Sequence, residues 1–309
     1  MIDCVNISKD IKDALDSDHP VIGLESTILA HGVPYPGNVE FTINQHLDTI
    51  SVNVMPAMMA IIDGKINVGL SVEQIELIGS QGSSVKKIST RDIPFAINKR
   101  ETGAMTVAAT ILMCSKLGIP LCVTGGIGGV HRGAETSFDV SADLIELSKN
   151  RVAVVSAGIK SILDIPKTLE FLETRGVPVI GYKSNSLPAF FTGSSNYNVD
   201  YSYDSPTDIA KVMLTQKKMG LNNGMLIANP IPKKYELAAD FIDAAIEKAL
   251  MNASEKGISG KLITPFLLNE IAVITSNRSV ESDISLVINN TNLAAQIAIE
   301  FKRLTSWRE

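Results

Sequence analysis

Short apolar runs alternate with longer amphipathic segments along this chain, a pattern typical of α/β proteins. Runs of strand length occur at residues 21–24, 54–62, 121–124, 152–156, 177–181 and 225–228. Several of the segments between them carry apolar residues at helical spacing. The pattern predicts a single α/β domain over residues 1–309, in which helices flank a central, twisted, mostly parallel or mixed sheet.

Turn and cap residues mark the boundaries of several predicted elements. Asp63-Gly64 between two apolar runs predicts a hairpin. Ser71 fits the first position of a helix capping box. Asp164 fits the N-cap of a helix within residues 152–181, a segment that predicts one βαβ unit with parallel strands.

Other segments carry weaker signals. Two prolines and a glycine within residues 28–36 predict irregular structure there. Helices are predicted at residues 38–51, 205–219, 235–251, 265–274 and 286–301, the last of them beginning near Asn289. We find no internal repeat, low-complexity segment or linker, which agrees with one domain.

Chemically useful side chains follow two of the buried runs. The run at residues 121–124 leads into a loop with four glycines within five residues: Gly125, Gly126, Gly128 and Gly129. The run at residues 152–156 is followed by Lys160. Because ligands in open α/β sheets bind in the crevice at the carboxyl ends of strands, both loops are predicted to border one ligand site.

The glycine loop does not match the common nucleotide-binding motifs. A dinucleotide-binding pattern that starts at Gly126 requires glycine where this chain has His131. A phosphate-loop pattern that starts at Gly128 reaches Gly133, but alanine follows instead of lysine. The glycines therefore predict close approach of the backbone, either to a ligand or to another subunit.

Composition and charge narrow the class of protein. Hydrophobic residues make up 45% and charged residues 20% of the chain, and the net charge of -5 argues against nucleic acid as the main partner. Three cysteines without metal-ligand spacing fit a reducing compartment. The N-terminus lacks the apolar core of a signal peptide, and polar residues and a proline interrupt the most apolar stretch, residues 104–124. We expect a cytoplasmic protein without a membrane partner.

Six segments spread over nearly the whole chain carry a family resemblance. They are GLESTILAHGVPYPGN (23–38), GAMTVAAT (103–110), VTGGIGGVHRGAETSFDVSADL (123–144), AGIKSILDI (157–165), MLIANPIP (225–232) and GKLITPFLL (260–268). Together they resemble the pseudouridine-5′-phosphate glycosidases, also called indigoidine-synthase-A-like proteins.

The resemblance implies both an assembly and an activity. It implies a single α/β domain, a homotrimer and a divalent metal, usually Mn²⁺ but otherwise a cation such as Mg²⁺. The implied activity is reversible cleavage of the C–C glycosidic bond of pseudouridine 5′-phosphate, which gives uracil and ribose 5-phosphate. This activity is pseudouridylate synthase, a carbon–oxygen lyase of the hydro-lyase class. The implied partner is thus a small-molecule substrate.

Lys160 is the candidate nucleophile. A carbon leaving group has no lone pair to protonate, so the two-carboxylate chemistry of ordinary glycosidases does not suit this bond. An amine that forms an imine with the opened sugar at C1′ withdraws electrons and lets the ring carbon leave. An apolar strand and a helix start flank Lys160, which disfavours its charged form. From the residues alone, a solvated loop lysine is the alternative; by resemblance, Lys160 lies in the Schiff-base segment.

Glu25 is the proton donor that the resemblance implies, because opening the ribose requires a proton on the ring oxygen. Without the resemblance, Glu25 fits a strand-end carboxylate that caps a neighbouring helix. His31 nearby is typical of a structural, hydrogen-bonding histidine and is the second choice for a catalytic group.

Asp139 matches the metal ligand of the family, and one carboxylate with water ligands suits Mg²⁺ or Mn²⁺. Without the resemblance, Asp139 fits a helix N-cap. By resemblance, the residues that follow contact the substrate: Ser141, Ala142 and Asp143.

The substrate phosphate requires hydrogen-bond donors. Thr106 and Val107 are predicted at a helix start, where free N–H groups favour an anion. By resemblance, Val107 contacts the substrate through its backbone and Lys87 binds the substrate as a cation, whereas Lys86 is predicted to be solvated.

Two segments depart from the family pattern. Gly193 stands where the family's PAF-Y-T-R-S-S loop has arginine. Residues 276–290, SNRSVESDISLVINN, replace a glycine-rich TGG-SL-AN-type stretch. Asn289, or else Asn290, matches a base-contacting asparagine.

Two other functions remain open at this point. The same lysine could serve a Schiff-base lyase that acts on another sugar phosphate. A catalytically silent phosphosugar-binding protein is the alternative outside the enzymes, although the joint presence of Glu25, Lys87, Asp139 and Lys160 disfavours it.

Overall fold

The computed structural model describes residues 4–306, apart from the side chain of Lys261. This part of the chain contains the strands β1 (Val5–Ile7), β2 (Val21–Leu24), β3 (Met55–Ile62), β4 (Lys65–Val68), β5 (Lys86–Ile88), β6 (Gly103–Met105), β7 (Leu121–Val123), β8 (Ala153–Ser156), β9 (Val179–Tyr182), β10 (Tyr201–Tyr203) and β11 (Met225–Ala228).

The α-helices stand between and after these strands. They are α1 (Lys9–Asp16), α2 (Gly37–Ser51), α3 (Val72–Gln81), α4 (Ile93–Asn98), α5 (Val107–Leu117), α6 (Ala134–Ser137), α7 (Ala142–Lys149), α8 (Ile165–Thr174), α9 (Pro206–Lys218), α10 (Ala239–Glu255), α11 (Ile263–Ile274) and α12 (Arg278–Ser306). None of the helices in residues 4–306 combines the length and apolar character that a membrane crossing requires.

The strands form one mixed, mostly parallel sheet in the order β1-β4-β3-β2-β7-β8-β11-β9-β10, with β6 beside β3 and β5 beside β6. Within the described residues, β3 pairs antiparallel with β4 and with β6, and the other strand pairs of the sheet are parallel. The predicted α/β fold with a central, mostly parallel sheet and flanking helices is therefore confirmed.

Hydrophobic side chains pack on both faces of this sheet and stabilise it. Val21 belongs to one hydrophobic core and Ile22 to the other, because successive residues of a strand face opposite sides. The strands β7, β8 and β11 are buried throughout, as expected for parallel strands covered by helices on both faces. Helix α12 packs along α9 and against β2, β7 and β8.

Several local predictions are confirmed. Asp63 and Gly64 form the turn of the antiparallel β3–β4 hairpin. Ser71 caps α3 with a reciprocal capping box, and the side chain of Asp164 caps α8. Within residues 152–181, β8 and β9 are parallel members of one sheet, but they are not neighbours because β11 pairs with both of them.

Three predicted boundaries were wrong. Residues 28–32 form a turn of π-helix rather than irregular structure, and α10 begins at Ala239 instead of residue 235. The last helix, α12, begins at Arg278, eleven residues before Asn289. Its early turns bury polar side chains, including Ser279 and Ser282, so the apolar period that marks a helix is interrupted there.

The parallel register brings four loops to one edge of the sheet. Gly23 pairs with Cys122, Cys122 with Val154, and Val154 with Leu226. The segments that follow β2, β7, β8 and β11 therefore start side by side, at the carboxyl ends of their strands. This is the edge at which open α/β sheets bind ligands.

Candidate active site

A cavity of about 920 Å³ opens at this edge of the sheet. It brings together all but one of the residues predicted from the sequence: Glu25, Lys87, Thr106, Val107, Asp139, Ser141, Ala142, Asp143 and Lys160. These residues come from five separate parts of the chain, so only the tertiary fold assembles them.

Backbone pairing between two loops positions Lys160. The N–H of Ile127 donates to the carbonyl of Gly158 at 3.1 Å, and the N–H of Lys160 donates to the carbonyl of Ile127 at the same distance. A Cβ atom at Gly126 would lie 2.5 Å from the ring of Phe190 and 3.3 Å from Cγ of Lys160. The glycine loop therefore lets the backbone, an aromatic ring and the lysine side chain pack closely.

Lys87 is the second lysine of the cavity. It lies on β5 and is half-buried. Burial lowers the pKa of Lys87, and the nearby charge of Lys160 lowers it further, while the carboxylates of Asp143, Glu25 and Asp139 oppose this shift. Two lysine side chains thus share one cavity, and the charge of Lys160 disfavours the charged form of Lys87.

Glu25 is buried, and its carboxylate accepts several hydrogen bonds. Oε2 accepts hydrogen bonds from the N–H and hydroxyl of Thr27 and, at 3.3 Å, from the N–H of Ile28. The hydroxyl of Thr124 donates to Oε1 at 3.4 Å. The capping function expected without the resemblance is therefore present. The assignment of Glu25 as proton donor stays a prediction.

Two histidines line the same cavity. Burial and the charge of Lys87 lower the pKa of His31, and its buried Nε2 has no hydrogen-bond partner within residues 4–306. Burial also lowers the pKa of His131, with Lys87 and Lys160 acting in the same direction and Asp139 against it. Both imidazoles are thus neutral near pH 7 and can accept or donate hydrogen bonds to a ligand.

Asp143 connects the glycine loop to the start of α5. Its Oδ2 accepts from the N–H of Gly128 at 2.8 Å, and its Oδ1 accepts from the N–H of Ala108 at 2.9 Å. The Thr106 side chain accepts from the N–H of Ala109. Fewer N–H groups than predicted are therefore available to an anion at this helix start, because those of Ala108 and Ala109 already donate to side chains.

Asp139 is the carboxylate expected to hold a metal. It is half-buried, lines the cavity and acts electrostatically on Lys87 and His131. Within the described residues, no cluster of three or more His, Cys, Asp or Glu side chains could hold a metal ion. The residues fit a cation held by one carboxylate with water and substrate oxygens, as Mg²⁺ and Mn²⁺ allow, and not one held by a full set of protein ligands.

Asn289 is the one predicted substrate contact that the structure leaves outside the cavity lining. Its amide donates to the carbonyl of Pro230 at 3.0 Å. Asn290 is fully buried and donates to the carbonyl oxygens of Thr124 and Gly125, so it is a structural link beneath the glycine loop. The base contact expected of Asn289, or else Asn290, stays a prediction.

Asp283 is a cavity residue that the sequence analysis missed. It is buried, and its Oδ1 has no hydrogen-bond partner in the described part of the chain. Burial raises the pKa of Asp283 to about 8, although the charge of Lys160 opposes this shift. Asp283 and Val287 line the cavity one helical turn apart, a spacing that could have revealed this face once α12 was extended to Arg278.

Comparison with known proteins gives consistent matches over nearly the whole chain. A protein from Clostridium botulinum named pseudouridine-5′-phosphate glycosidase is 48% identical over 300 residues, which cover 97% of this chain and 98% of the relative. A protein of the same name from Escherichia coli is 47% identical over 300 residues, with 97% and 96% covered.

Two solved structures share the fold. The prealnumycin C-glycosynthase AlnA in complex with ribulose 5-phosphate superposes with a TM-score of 0.90 at 31% identity and covers 100% of both chains. An indigoidine synthase A-like protein from Thermotoga maritima gives a TM-score of 0.88 at 34% identity, with 97% of each chain covered. The family model for indigoidine synthase A like proteins matches residues 10–300, and the chain therefore belongs to this family.

Proposed function

We propose that this protein cleaves the C–C glycosidic bond of pseudouridine 5′-phosphate reversibly to uracil and ribose 5-phosphate. The names of the relatives support an enzyme of the glycosidase or lyase type that acts on such a C-glycoside. The observation that carries the proposal is a cavity lined by Lys160, Lys87 and Glu25 together, at the edge of the sheet where ligands bind.

In the proposed mechanism, the neutral amine of Lys160 forms a bond to C1′ while the bond from C1′ to the ring oxygen breaks. Glu25 gives the ring oxygen its proton. The lysine nitrogen, now a secondary ammonium, gives up a proton, and the uracil ring carbon gains one. The C1′–C bond then breaks: its electron pair stays with uracil, and the nitrogen lone pair stabilises C1′ as an iminium. Water hydrolyses the iminium, which releases ribose 5-phosphate, restores the amine and returns a proton to Glu25.

The other cavity residues would bind and orient the substrate. Lys87 supplies a cationic donor, and the start of α5 at Thr106 and Val107 borders the cavity with backbone N–H groups. A divalent cation at Asp139 would supply positive charge close to substrate oxygens. Ser141 and Ala142 lie on the same rim and would complete the contacts.

A Schiff-base lyase that acts on a different sugar phosphate is the second candidate. The structural neighbour AlnA was solved in complex with ribulose 5-phosphate, which supports a sugar phosphate of this kind as an alternative substrate. The two candidates share Lys160 and differ in the leaving group. A silent phosphosugar-binding protein has no specific observation in its favour.

The deciding experiment is incubation of the protein with uracil, ribose 5-phosphate and Mn²⁺, followed by mass analysis. The expected result is a condensed nucleotide that co-elutes with pseudouridine 5′-phosphate. A parallel incubation with ribulose 5-phosphate separates the two enzymatic candidates. If neither sugar phosphate gives a product and pseudouridine 5′-phosphate is not cleaved, the proposed function is wrong.

A further inference from the structure

Asp283 is a buried carboxyl group that the proposed mechanism does not use. It lies in the second turn of α12 and lines the cavity that also contains Lys160. Within residues 4–306, nothing forms a hydrogen bond with its Oδ1. An unpartnered polar atom in a buried position costs free energy, so a ligand that supplies the missing partner gains that free energy on binding.

The protonation state of Asp283 determines which partner it can accept. Because burial raises the pKa of Asp283 to about 8, the group keeps its proton at neutral pH. A protonated carboxyl presents one O–H donor beside one carbonyl acceptor. It therefore complements a ligand edge with an adjacent N–H and C=O, such as the amide edge of a pyrimidinedione ring, through two parallel hydrogen bonds.

The neighbours of Asp283 point to the base and not to the phosphate. Val287, one turn along α12, and the ring of Phe190 border the same space and suit a flat heterocycle. Lys160 would be bonded to C1′, and the base is attached to that carbon. The cationic Lys87 lies on the separate strand β5 and suits the phosphate.

We infer that Asp283 is a specificity-determining residue which, as an uncharged carboxyl, pairs with the amide edge of the heterocyclic leaving group. This inference rests on the proposed function and adds the means by which the base is chosen. A base without such an edge would leave the carboxyl unpaired, and it would be rejected for that reason.

Ionisation of Asp283 gives the inference a distinctive consequence. Above about pH 8 the carboxylate loses its donor and sets a negative charge against a ligand carbonyl, so KM should rise by roughly tenfold per pH unit. Lys160 is the charged group that acts on Asp283. The other titratable or charged groups that line the cavity are the same in every variant compared: Glu25, His31, Lys87, Arg91, Asp92, His131, Arg132, Asp139 and Asp143.

The test is steady-state kinetics of pseudouridine 5′-phosphate cleavage between about pH 7 and pH 9. Asp283→Asn keeps a donor and an acceptor but does not titrate. It should hold KM within about threefold of wild type at pH 7 and abolish the alkaline rise. Asp283→Ala should raise KM at least tenfold at pH 7, with a smaller effect on kcat. Glu281→Gln, an exposed change on the same helix, is the matched control and should behave like wild type.

Two results would overturn the inference: an unchanged KM in Asp283→Ala, or an alkaline rise that persists in Asp283→Asn. If the alanine variant does not fold, the pH profile of the asparagine variant decides alone. Borohydride trapping with ribose 5-phosphate separates this inference from the proposed function, because that sugar carries no base. Trapping by all variants with unaltered KM values would refute only the role of Asp283. Absence of trapping and of cleavage in wild type would refute both.

Discussion

Lys160 and Lys87 approach one cavity from different elements, the loop after β8 and the strand β5. The positive charge of Lys160 adds to the effect of burial and lowers the pKa of Lys87. The lowered pKa of Lys87 makes it a physically reasonable competitor for the covalent step. An experiment must therefore separate the two lysines.

Replacement of each lysine should give a different kinetic result. Lys160→Ala should reduce turnover by at least about a thousandfold, because the covalent route is lost. Lys87→Ala should mainly raise KM, by roughly tenfold or more, because a cationic donor is lost. Lys86→Ala, which removes an exposed lysine paired with Glu101, is the neutral control.

Borohydride reduction with ribose 5-phosphate should trap a ribityl-phosphate adduct on the wild-type protein, and peptide mapping should locate it at Lys160. An adduct mapped to Lys87, or robust turnover by Lys160→Ala, would contradict the assignment.

Asp139 allows a test of the metal. Chelation should abolish turnover, and Mn²⁺ or Mg²⁺ should restore it. Asp139→Asn should weaken Mn²⁺ binding, measured by titration calorimetry, by roughly tenfold or more because a charged oxygen ligand is lost. Glu135→Gln changes an exposed carboxylate in the nearby helix α6 that pairs with Lys167, and it should leave Mn²⁺ affinity unchanged. Full activity of the chelated protein would remove the metal from the proposal.

At the scale of single residues, the sequence predicted the cavity well where side chains follow strands. Lys160 and Glu25 come just after buried runs, and the rule for parallel sheets is enough to bring them together. Asp283 could not be found in this way. It lies in the early turns of α12, where the buried side chains are polar, so neither a hydrophobic period nor a strand end marks it.

At the scale of elements, α12 connects the chemistry to the scaffold. Asn290 in the middle of this helix donates to the carbonyl of Thr124 at 2.9 Å and accepts from the amide of Asn229 at 3.1 Å. These bonds join α12 to the loops after β7 and β11. The same helix carries Asp283 two turns earlier. The packing of α12 against the sheet therefore determines where Asp283 lies in the cavity.

Asn290→Ala should therefore destabilise the protein by roughly 2–4 kcal/mol, because it leaves several buried polar groups unpaired. Asn289→Ala is the matched change on the adjacent residue. It removes one hydrogen bond of a half-buried side chain, to Pro230, and should cost about 1 kcal/mol or less. Urea unfolding measures both values, and equal losses for the two variants would contradict this account.

The elements themselves were predictable to different degrees. Apolar runs with clear caps, such as β8 and α8 with Asp164, were found because local and tertiary preferences agree. The insertion of β11 between β8 and β9 leaves no local signal, since strand order depends on packing over long sequence distances. The extent of α12 was missed because serines occupy buried positions in its early turns. The hydroxyl of Ser282 donates to the carbonyl of Arg278 within the helix and to that of Tyr235 in a distant segment.

At the scale of the whole molecule, Asp283 should make stability depend on pH. Its pKa is about 8 in the folded protein and near the ordinary value of 3.8 in the unfolded chain. Between these values the unfolded chain has lost a proton that the folded protein still holds, so the free energy of unfolding falls as pH rises. The slope is at most about 1.4 kcal/mol per pH unit.

Asp283→Asn removes this contribution. From about pH 4 to about pH 8, the free energy of unfolding of the variant should therefore increase relative to that of wild type. Urea unfolding at several pH values measures this difference. A difference that stays constant across this range would mean that Asp283 ionises normally in the folded protein.

The assembly is a further prediction at this scale and rests on the family resemblance. We expect a homotrimer, which mass measurement by light scattering would detect at micromolar concentration. A monomer with full activity would contradict it.

The position of β11 also has a consequence for synthesis on the ribosome. Until residues 225–228 have emerged, the facing edges of β8 and β9 have no strand between them, and the loop that bears Lys160 lacks part of its support. The helix that carries Asp283 and Asn290 emerges later still. Partly made chains would therefore expose unpaired strand edges, which favour aggregation, and would depend on chaperones until the C-terminal third is complete.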